Sequence, residues 1–515
     1  MQNNLGLLLA KRASLQPKTE ALVDTASGER FSYAELNARC NRLAHGLLDR
    51  EVRSGDRVAT LLINGHEFIE TFFGAAKMGG VIVPLNWRLV ADELSFILTD
   101  SGANTLVFGS QFREVVEELH ARGTEGTQVH HWIHVGDASD RPEFAVGYED
   151  VMARSSTDEP EVGARDDDLL FIMYTSGTTG LPKGVMHSHA TTLWASLTAL
   201  ITADVRWGDR YLLCLPLFHV GALNPLISGF HGGGTLVVMP AFDPQKIWET
   251  YAREEITTTL AVPAMLNFML HTYDAQAHDI SRLRWIMSGA APVPVTLIEK
   301  YAAMGIEIHQ VYGLTESGGP ACLISPDEAL ARAGSTGKAF FHTDVKVVHP
   351  DGSEIGAGET GEVWVRGPHV MLGYWNRPEA TAETLVDGWL HTGDVATIDA
   401  DGYLYIQDRI KDMIISGGEN IYPAEIENVI AGLDGVTEVA VIGLPSEKWG
   451  ESPLAVVVKS DPALTAESVL AHCKGKLAAF KQPRAVEFID AIPRNPTGKV
   501  LKRLLREQFP GPAPE

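Results

Sequence analysis

Apolar residues recur in two alternating rhythms along the first 165 or so residues. Leu36, Leu43 and Leu47 share one face of a helix that opens after Phe31, with Ser32 as N-cap and Glu35 three residues on. The runs starting at Val58 and Val81 read as buried strands, and the stretch from Phe68 to Met78 between them as a helix. This rhythm predicts a parallel sheet with crossover helices. Residues 153–168 are polar and acidic and read as a solvated connection. Leu169–Met173 is a further buried strand, Gly232–Met239 a turn into a strand, and Thr257–Met265 a strand leading to a loop. Between about 334 and 408 short strands alternate with Asp-Gly turns at Asp351-Gly352 and Asp401-Gly402, the pattern of a small β-rich subdomain. The last hundred residues combine a helix with Pro423 in its first turn, strands near Val439, Leu454 and Ala485, and a helix from about Ala466 to Ala479: a compact α+β unit.

Composition narrows the class. A chain of 515 residues, 45% of them hydrophobic, supports several cores. No run of about 18 apolar residues is present, so no membrane span is expected, and the first residues do not read as a secretory signal. Cys40, Cys214, Cys322 and Cys473 lie far apart, which fits a reducing cytoplasm better than a disulfide framework or a metal knuckle. The net charge of −24 argues against a nucleic-acid surface.

The densest chemistry lies from Tyr174 to Val185. Thr175, Ser176, Gly177, Thr178, Thr179, Gly180 and Lys183 place hydroxyls, mobile backbone N–H groups and one ammonium directly after a strand. Glycine lets the backbone approach a ligand closely, and freed N–H groups form a nest for phosphate oxygens. An ordinary loop has a similar composition, but here the Lys is embedded among the glycines. Lys183 is followed by Gly184 and Val185, so the run is not a Walker A loop.

The Ser-Gly-Thr-Thr-Gly-x-Pro-Lys-Gly run resembles the signature of the adenylate-forming (AMP-binding) superfamily of acyl-CoA synthetases, adenylation domains and luciferases. The resemblance extends over nearly the whole chain and is strongest to bacterial fatty acyl-CoA synthetases, with feruloyl-type aryl-CoA ligases next. It implies an α/β fold: a large N-terminal domain of parallel-rich sheets with crossover helices plus a small β subdomain, and a mobile α+β C-terminal domain. The boundaries would be 1–410 for the adenylation domain, its β-rich subdomain at about 334–408, and 411–515 for the C-terminal domain. His219, in Leu-Pro-Leu-Phe-His-Val-Gly, would be a wall or gate of the acyl pocket rather than a base. Gly289, Ala290 and Ala291 would line the adenine and the acyl channel. In Gln310–Glu316, Tyr312 and Gly313 would meet the base, Thr315 a phosphate, and Glu316 would hold Mg²⁺, which usually takes one or two carboxylates plus phosphates. Asp394 would accept from both ribose hydroxyls, Arg409 would reach the ribose or phosphates, and Lys411 would be the hinge. Ser416, Gly417 and Gly418 would line a pantetheine tunnel, with Trp449 meeting CoA, and Lys499 would be the catalytic lysine.

The implied reaction uses ATP, Mg²⁺ and coenzyme A. Lys499 would bridge the carboxylate and α-phosphate, pyrophosphate would leave, and the C-terminal domain would swing to admit the CoA thiol with release of AMP. This is positioning and electrostatic stabilisation, with no protein nucleophile. An amino-acid-activating domain would place an Asp after Phe218-His219, where Val220-Gly221-Ala222-Leu223 stands instead. A luciferase-like oxygenase shares the motifs, and a lapsed nucleotide-binding regulator would lack one of the catalytic side chains, all of which are present. The pocket residues His219, Val220, Met265, Gly289 and Leu314 are mostly apolar or small and favour an alkyl or aryl acid, medium- or long-chain fatty acids first, hydroxycinnamate-type acids second, short thioether or branched acids third. Peripheral membrane contact and a homodimer are left open.

Overall fold

The computed structural model describes residues 3–511 except 162, 176–181, 292, 417–418, 447–448, 475, 478, 480 and 495–499, and omits the side chains of 411, 419 and 420. Four sheets organise the described residues. The nine-stranded sheet has a parallel centre in the order Glu20–Asp24, Thr235–Val238, Arg210–Leu213, Thr258–Leu260, Trp285–Ser288 and Glu307–Tyr312. Its edges, Arg30–Ser32 on one side and Cys322–Leu323 then Lys338–Ala339 on the other, are antiparallel. The eight-stranded sheet is parallel from Leu169–Thr175 through Val81–Pro84, Arg57–Leu61, Ala103–Gly109 and His131–Val135 to Val146–Gly147. Lys183–Ser188 and Gly373–Tyr374 extend it antiparallel.

The two large sheets share one core. Leu22, Leu213 and Leu236 of the first and Val58, Ile82 and Phe171 of the second meet the helices Tyr33–Asp49, His66–Met78 and Val220–Gly232 in a single apolar cluster. Further clusters cover the outer faces. Burial on both faces is why Val81–Pro84 is fully apolar rather than alternating. The first helix starts with the capping box between Ser32 and Glu35, and Leu36, Leu43 and Leu47 are fully buried.

Asp344–Val348, Thr360–Arg366, Trp389–Ile398, Leu385–Val386 and Leu404–Arg409 form an antiparallel five-stranded sheet, with left-handed glycines at both Asp-Gly turns. A second five-stranded sheet, built on Val436–Ser446 and Gly450–Lys459 with the helix Pro423–Ala431 against it, makes up the C-terminal unit. The helix beginning at Ala466 ends at Cys473, shorter than its apolar pattern predicts.

One reading of the sequence is corrected and another is extended. Thr257–Met265 does not end in a loop: Pro263 takes the first turn of a helix, Pro263–Leu270, where its missing N–H costs nothing. The stretch 153–168 is mostly exposed, as its composition predicts, and it is anchored at Glu159. Glu159 is clamped against Lys77, a fully buried ammonium that donates to Glu159 Oε2 at 2.6 Å and to Asn37 Oδ1 at 2.7 Å. Asn37 and Asn41 donate in turn to Glu159 Oε1. Composition gave no sign of this, because the partner cation comes from a helix 82 positions earlier in the chain.

Glu159 is itself exposed, but its removal leaves the buried Lys77 ammonium without its counter-charge. Glu159→Ala is expected to destabilise the N-terminal region by about 3 kcal/mol in urea unfolding, and adding Lys77→Met to the same chain should recover most of that loss.

Candidate functional site

Several of the motif residues gather because they lie at or just after the C-terminal ends of strands. Thr175 ends one strand, Tyr312 another, and His219 and Gly289 follow Arg210–Leu213 and Trp285–Ser288. In open α/β sheets the crevice outside these ends is where ligands bind. Here it is a cleft of about 1930 Å³. Thr175, Lys183, His219, Gly289, Ala290, Ala291, Tyr312, Gly313, Thr315, Glu316, Asp394 and Arg409 all lie on its wall.

At one end Asp394 sits between Tyr312 and Arg409. The Tyr312 hydroxyl donates to Asp394 Oδ2 at 2.7 Å and Arg409 Nε lies 2.9 Å from Oδ1. Asp394 lies within Trp389–Ile398, directly opposite Arg409, next to a bulge where Gly393 is left-handed. Thr392 accepts the Asp394 N–H. Burial raises the Tyr312 pKa well above the ordinary phenol value, reinforced by the Asp394 charge, so this hydroxyl stays a donor. Burial alone would lower the Arg409 pKa, but Asp394 and Glu316 outweigh it and hold the guanidinium charged. Each carboxylate oxygen keeps a free lone pair.

The second group is Glu316, Tyr374 and Lys183. The Tyr374 hydroxyl donates to Glu316 Oε1 at 2.9 Å, and the Lys183 ammonium lies 5.0 Å from the centre of the Tyr374 ring. Lys183 pairs with Thr175 across antiparallel strands, placing it beside the start of the glycine-rich run. Residues 176–180 of that run, Ser176, Gly177, Thr178, Thr179 and Gly180, lie outside the described residues. His187 holds the Thr315 carbonyl through Nε2 at 2.7 Å, and His369 holds the Ser317 carbonyl through Nδ1 at 2.7 Å, fixing the turn that carries Glu316. Burial lowers the His187 pKa to about 4, so its ring is neutral.

His219 caps the helix Val220–Gly232, its ring tilted against Phe218 at 4.4 Å. Its Nε2 is closed off with no partner among the described residues. Burial, with the Arg88 charge behind it, lowers its pKa to about 3. Gly289 is fixed by close packing, since a Cβ there would lie 2.4 Å from the Val311 carbonyl oxygen. Ala290 is left-handed, at φ +67°.

The C-terminal unit closes the cleft. Arg494 and Val500, which bridge one another, are both on the wall; Lys499 between them lies outside the described residues. Lys502 reaches Glu427 at 3.1 Å and Asp408 at 3.4 Å, and Arg506 reaches Asp412 at 3.2 Å. The short 3₁₀ turn Ile410–Asp412 contains the backbone of Lys411. Ser416 is buried opposite Gly450, in register next to Trp449, which is 41% exposed in the turn before Gly450–Lys459. Neither belongs to the described wall of the cleft, and Gly417 and Gly418 lie outside the described residues.

For a divalent cation the cleft offers Glu316, a hard oxygen donor whose Oε2 makes no hydrogen bond to the described residues. One protein carboxylate beside a phosphate site fits Mg²⁺, which keeps waters and phosphate oxygens as its other ligands. The one cluster of three metal-ligand types among the described residues, Asp24, His66 and Glu67, is not on this wall, and Asp24 is already bonded to His66.

Sequence reasoning missed Tyr374, His187 and Lys502. Tyr374 is brought in by the two-residue strand Gly373–Tyr374, too short to leave a periodic signal. His187 reads as one apolar-strand position among others. Lys502 sits three residues after the loop singled out for Lys499, and only the tertiary contact to Asp408 distinguishes it from the neighbouring basic residues.

Two family models match the chain. The family described as AMP-binding enzyme matches residues 9–375, and the AMP-binding enzyme C-terminal domain matches residues 425–499. A long-chain-fatty-acid–CoA ligase, FadD13, of Mycobacterium tuberculosis is 46% identical over 512 residues, 99% of this chain and 100% of that one. A feruloyl-CoA synthase of an Amycolatopsis species is 40% identical over 507 residues, 98% of this chain and 99% of that one. The solved fatty acyl CoA synthetase of Mycobacterium tuberculosis superposes with a TM-score of 0.79 at 44% identity, covering 98% of each chain. With both family segments matched and relatives of this identity aligned end to end, the chain belongs to the AMP-binding enzyme family.

Proposed function

We propose that the protein is an ATP-dependent acid–CoA ligase that activates a medium- or long-chain fatty acid as its acyl-adenylate, with release of pyrophosphate, and then forms the acyl-CoA thioester with release of AMP. The observation that carries this reading is the convergence, on one cleft wall, of Asp394 with Tyr312 and Arg409, and of Glu316 with Tyr374 and Lys183. The first group is a diol and phosphate site: a carboxylate with lone pairs to spare beside a fixed guanidinium. The second gathers an ammonium and a hard oxygen ligand where polyphosphate would lie. Mg²⁺ held by Glu316 would neutralise the departing pyrophosphate. Thr315, fixed through its carbonyl by His187, presents its hydroxyl to a phosphate oxygen. In this reading Ser176–Gly180, outside the described residues, would supply donors to the phosphates, and Gly289, Ala290, Ala291 and Gly313 would line the adenine.

A carboxylate repels the α-phosphate it must attack, so the chain has to hold two anions together. Lys499 takes that role in this reading. Its flanks, Arg494 and Val500, line the cleft. The domain beyond Lys411 would then rotate, bringing Ser416, Gly417, Gly418 and Trp449 to the pantetheine arm of CoA; the separation of Ser416 and Trp449 from the cleft here supports two orientations. His219 acts as an apolar wall, because a ring that holds its proton only below a pH of about 3 is neutral throughout the working range. The four cysteines are all buried and free, which supports a reducing, cytoplasmic setting. No helix among the described residues is long and apolar enough to cross a membrane. The 40% identity to a feruloyl-CoA synthase favours a hydroxycinnamate-type acid as the second reading.

ATP–pyrophosphate exchange without CoA tests the reading. Exchange with straight-chain acids is the expected result; exchange with ferulate alone would make the second reading the correct one. Lys499→Ala should lower exchange by about 10³-fold, the scale of losing a transition-state charge partner, while CoA still consumes a supplied acyl-adenylate. Equal loss of both half-reactions would overturn this division of labour. His219→Phe should leave the pH profile of exchange between 5 and 8 unchanged in shape. In stability the sign is fixed: the folded ring titrates near 3 and the unfolded one near 6.5, so stability falls as pH drops from about 6.5 towards 3. His219→Phe should flatten that slope by at most about 1.4 kcal/mol per pH unit in acid unfolding.

A further inference from the structure

The strands that present Lys183 and Tyr374 to the cleft are tied together from behind. Thr175 pairs with Lys183 and Tyr174 with Gly184, and Tyr374 pairs with Val185 on the far side of the same middle strand. Side chains alternate between faces along a strand. Thr175, Lys183 and Tyr374 therefore share one face, and Tyr174 and Gly184 lie on the other. Trp375 follows Tyr374 and donates its N–H to the Gly184 carbonyl at 2.7 Å. The missing side chain of Gly184 leaves room for this back row: a Cβ there would lie 3.1 Å from Tyr174 Cζ and 3.3 Å from Trp375 Cβ.

Asp100 closes the back row. Its Oδ2 accepts from the Tyr174 hydroxyl at 2.7 Å, its Oδ1 from Arg377 Nη2 at 2.8 Å, and its backbone carbonyl from the Trp375 indole at 2.8 Å. One residue thus joins the strand that ends in Thr175 to the segment that carries Tyr374, across the strand that begins with Lys183. Burial raises the Tyr174 pKa and Asp100 raises it further, so this hydroxyl stays a donor. The Asp100 side chain is 12% exposed and is not on the wall of the cleft. It stands in the last turn of the helix Ala91–Ser101, which has no basic residue there, and the helix dipole disfavours a carboxylate at that end. The helix gains nothing from this charge; the three donors from the other elements do.

We infer that Asp100 is a positioning residue for the polyphosphate of ATP: from the back of the sheet it fixes the spacing of Thr175, Lys183 and Tyr374, and through the Tyr374 hydroxyl that of Glu316. Asp394 and Arg409, on the nucleoside side of the cleft, belong to the five-stranded sheet and make no bond to Asp100. The inference deepens the acid–CoA ligase reading and rests on it.

The test is calorimetric titration of the full chain with ATP and with AMP, each with Mg²⁺, for the wild type, Asp100→Asn and Tyr174→Phe. The acid substrate is not needed. Asp100→Asn should weaken ATP binding about tenfold, the scale of one lost charge-assisted hydrogen bond. AMP binding should stay as in the wild type, because AMP has no β- and γ-phosphates. Tyr174→Phe removes one hydroxyl and leaves the Asp100–Arg377 pair, so it should shift the ratio of the two affinities the same way by less. Equal weakening of ATP and AMP in Asp100→Asn is what a purely structural role produces, and it overturns the inference. An unchanged ratio in both variants overturns it too, and if Asp100→Asn does not fold, an unchanged ratio in Tyr174→Phe suffices. A wild type that binds AMP but not ATP refutes the ligase reading itself, and the positioning role falls with it.

Discussion

Two tyrosine–carboxylate hydrogen bonds hold the cleft together, because each joins strands that belong to different sheets. Tyr312, from the nine-stranded sheet, donates to Asp394 of the five-stranded sheet. Tyr374, from the eight-stranded sheet, donates to Glu316 in the loop that leaves the nine-stranded one. Three sheets thus meet at two carboxylates. In a chain of net charge −24 a site for polyanions cannot carry bare carboxylates. A phenol satisfies one oxygen without adding charge, and it stays protonated because burial raises its pKa. Cations are thereby left for the ligand: Lys183 hangs over the Tyr374 ring rather than pairing with Glu316, and Arg409 commits one nitrogen to Asp394.

The rest of the cleft follows from strand polarity. In the nine-stranded sheet parallel strands point the same end towards the same crevice, so the loops after Leu213, Ser288 and Tyr312 arrive together although they are far apart in sequence. Fine placement then comes from buried neutral groups. His187 and His369 each donate to a carbonyl of the turn that carries Glu316, and each uses its other nitrogen on a threonine hydroxyl. Neutral rings suit this role, because burial keeps a second positive charge from forming near the site. A ring with one donor and one acceptor also fixes its own orientation.

Much of this was legible in the sequence, for identifiable reasons. The apolar rhythm around Leu36, Val58 and Val81 reports burial, and burial sets the sheet and helix positions whatever lies at long range. The motif residues were legible because glycine, lysine and carboxylate in one short run have few other uses. The pairings were not. The ion pair of Glu159 was not visible because its partner, Lys77, lies on a helix far away in the sequence. Tyr374 and Lys502 depend on contacts between elements that no local pattern encodes.

The contacts at the hinge bear on how a second orientation could exist. Lys502 bridges Asp408 and Glu427, and Arg506 meets Asp412, so the C-terminal helix Lys502–Gln508 grips both sides of the turn containing Lys411 through charges. An apolar seam there would resist opening in proportion to the area exposed. A charged one behaves differently, because the energy of bringing such groups together is largely offset by the cost of stripping their water. A charged seam of this kind is specific in geometry, since Lys502 meets Asp408 and Glu427 at once, without depending on buried apolar area to hold it.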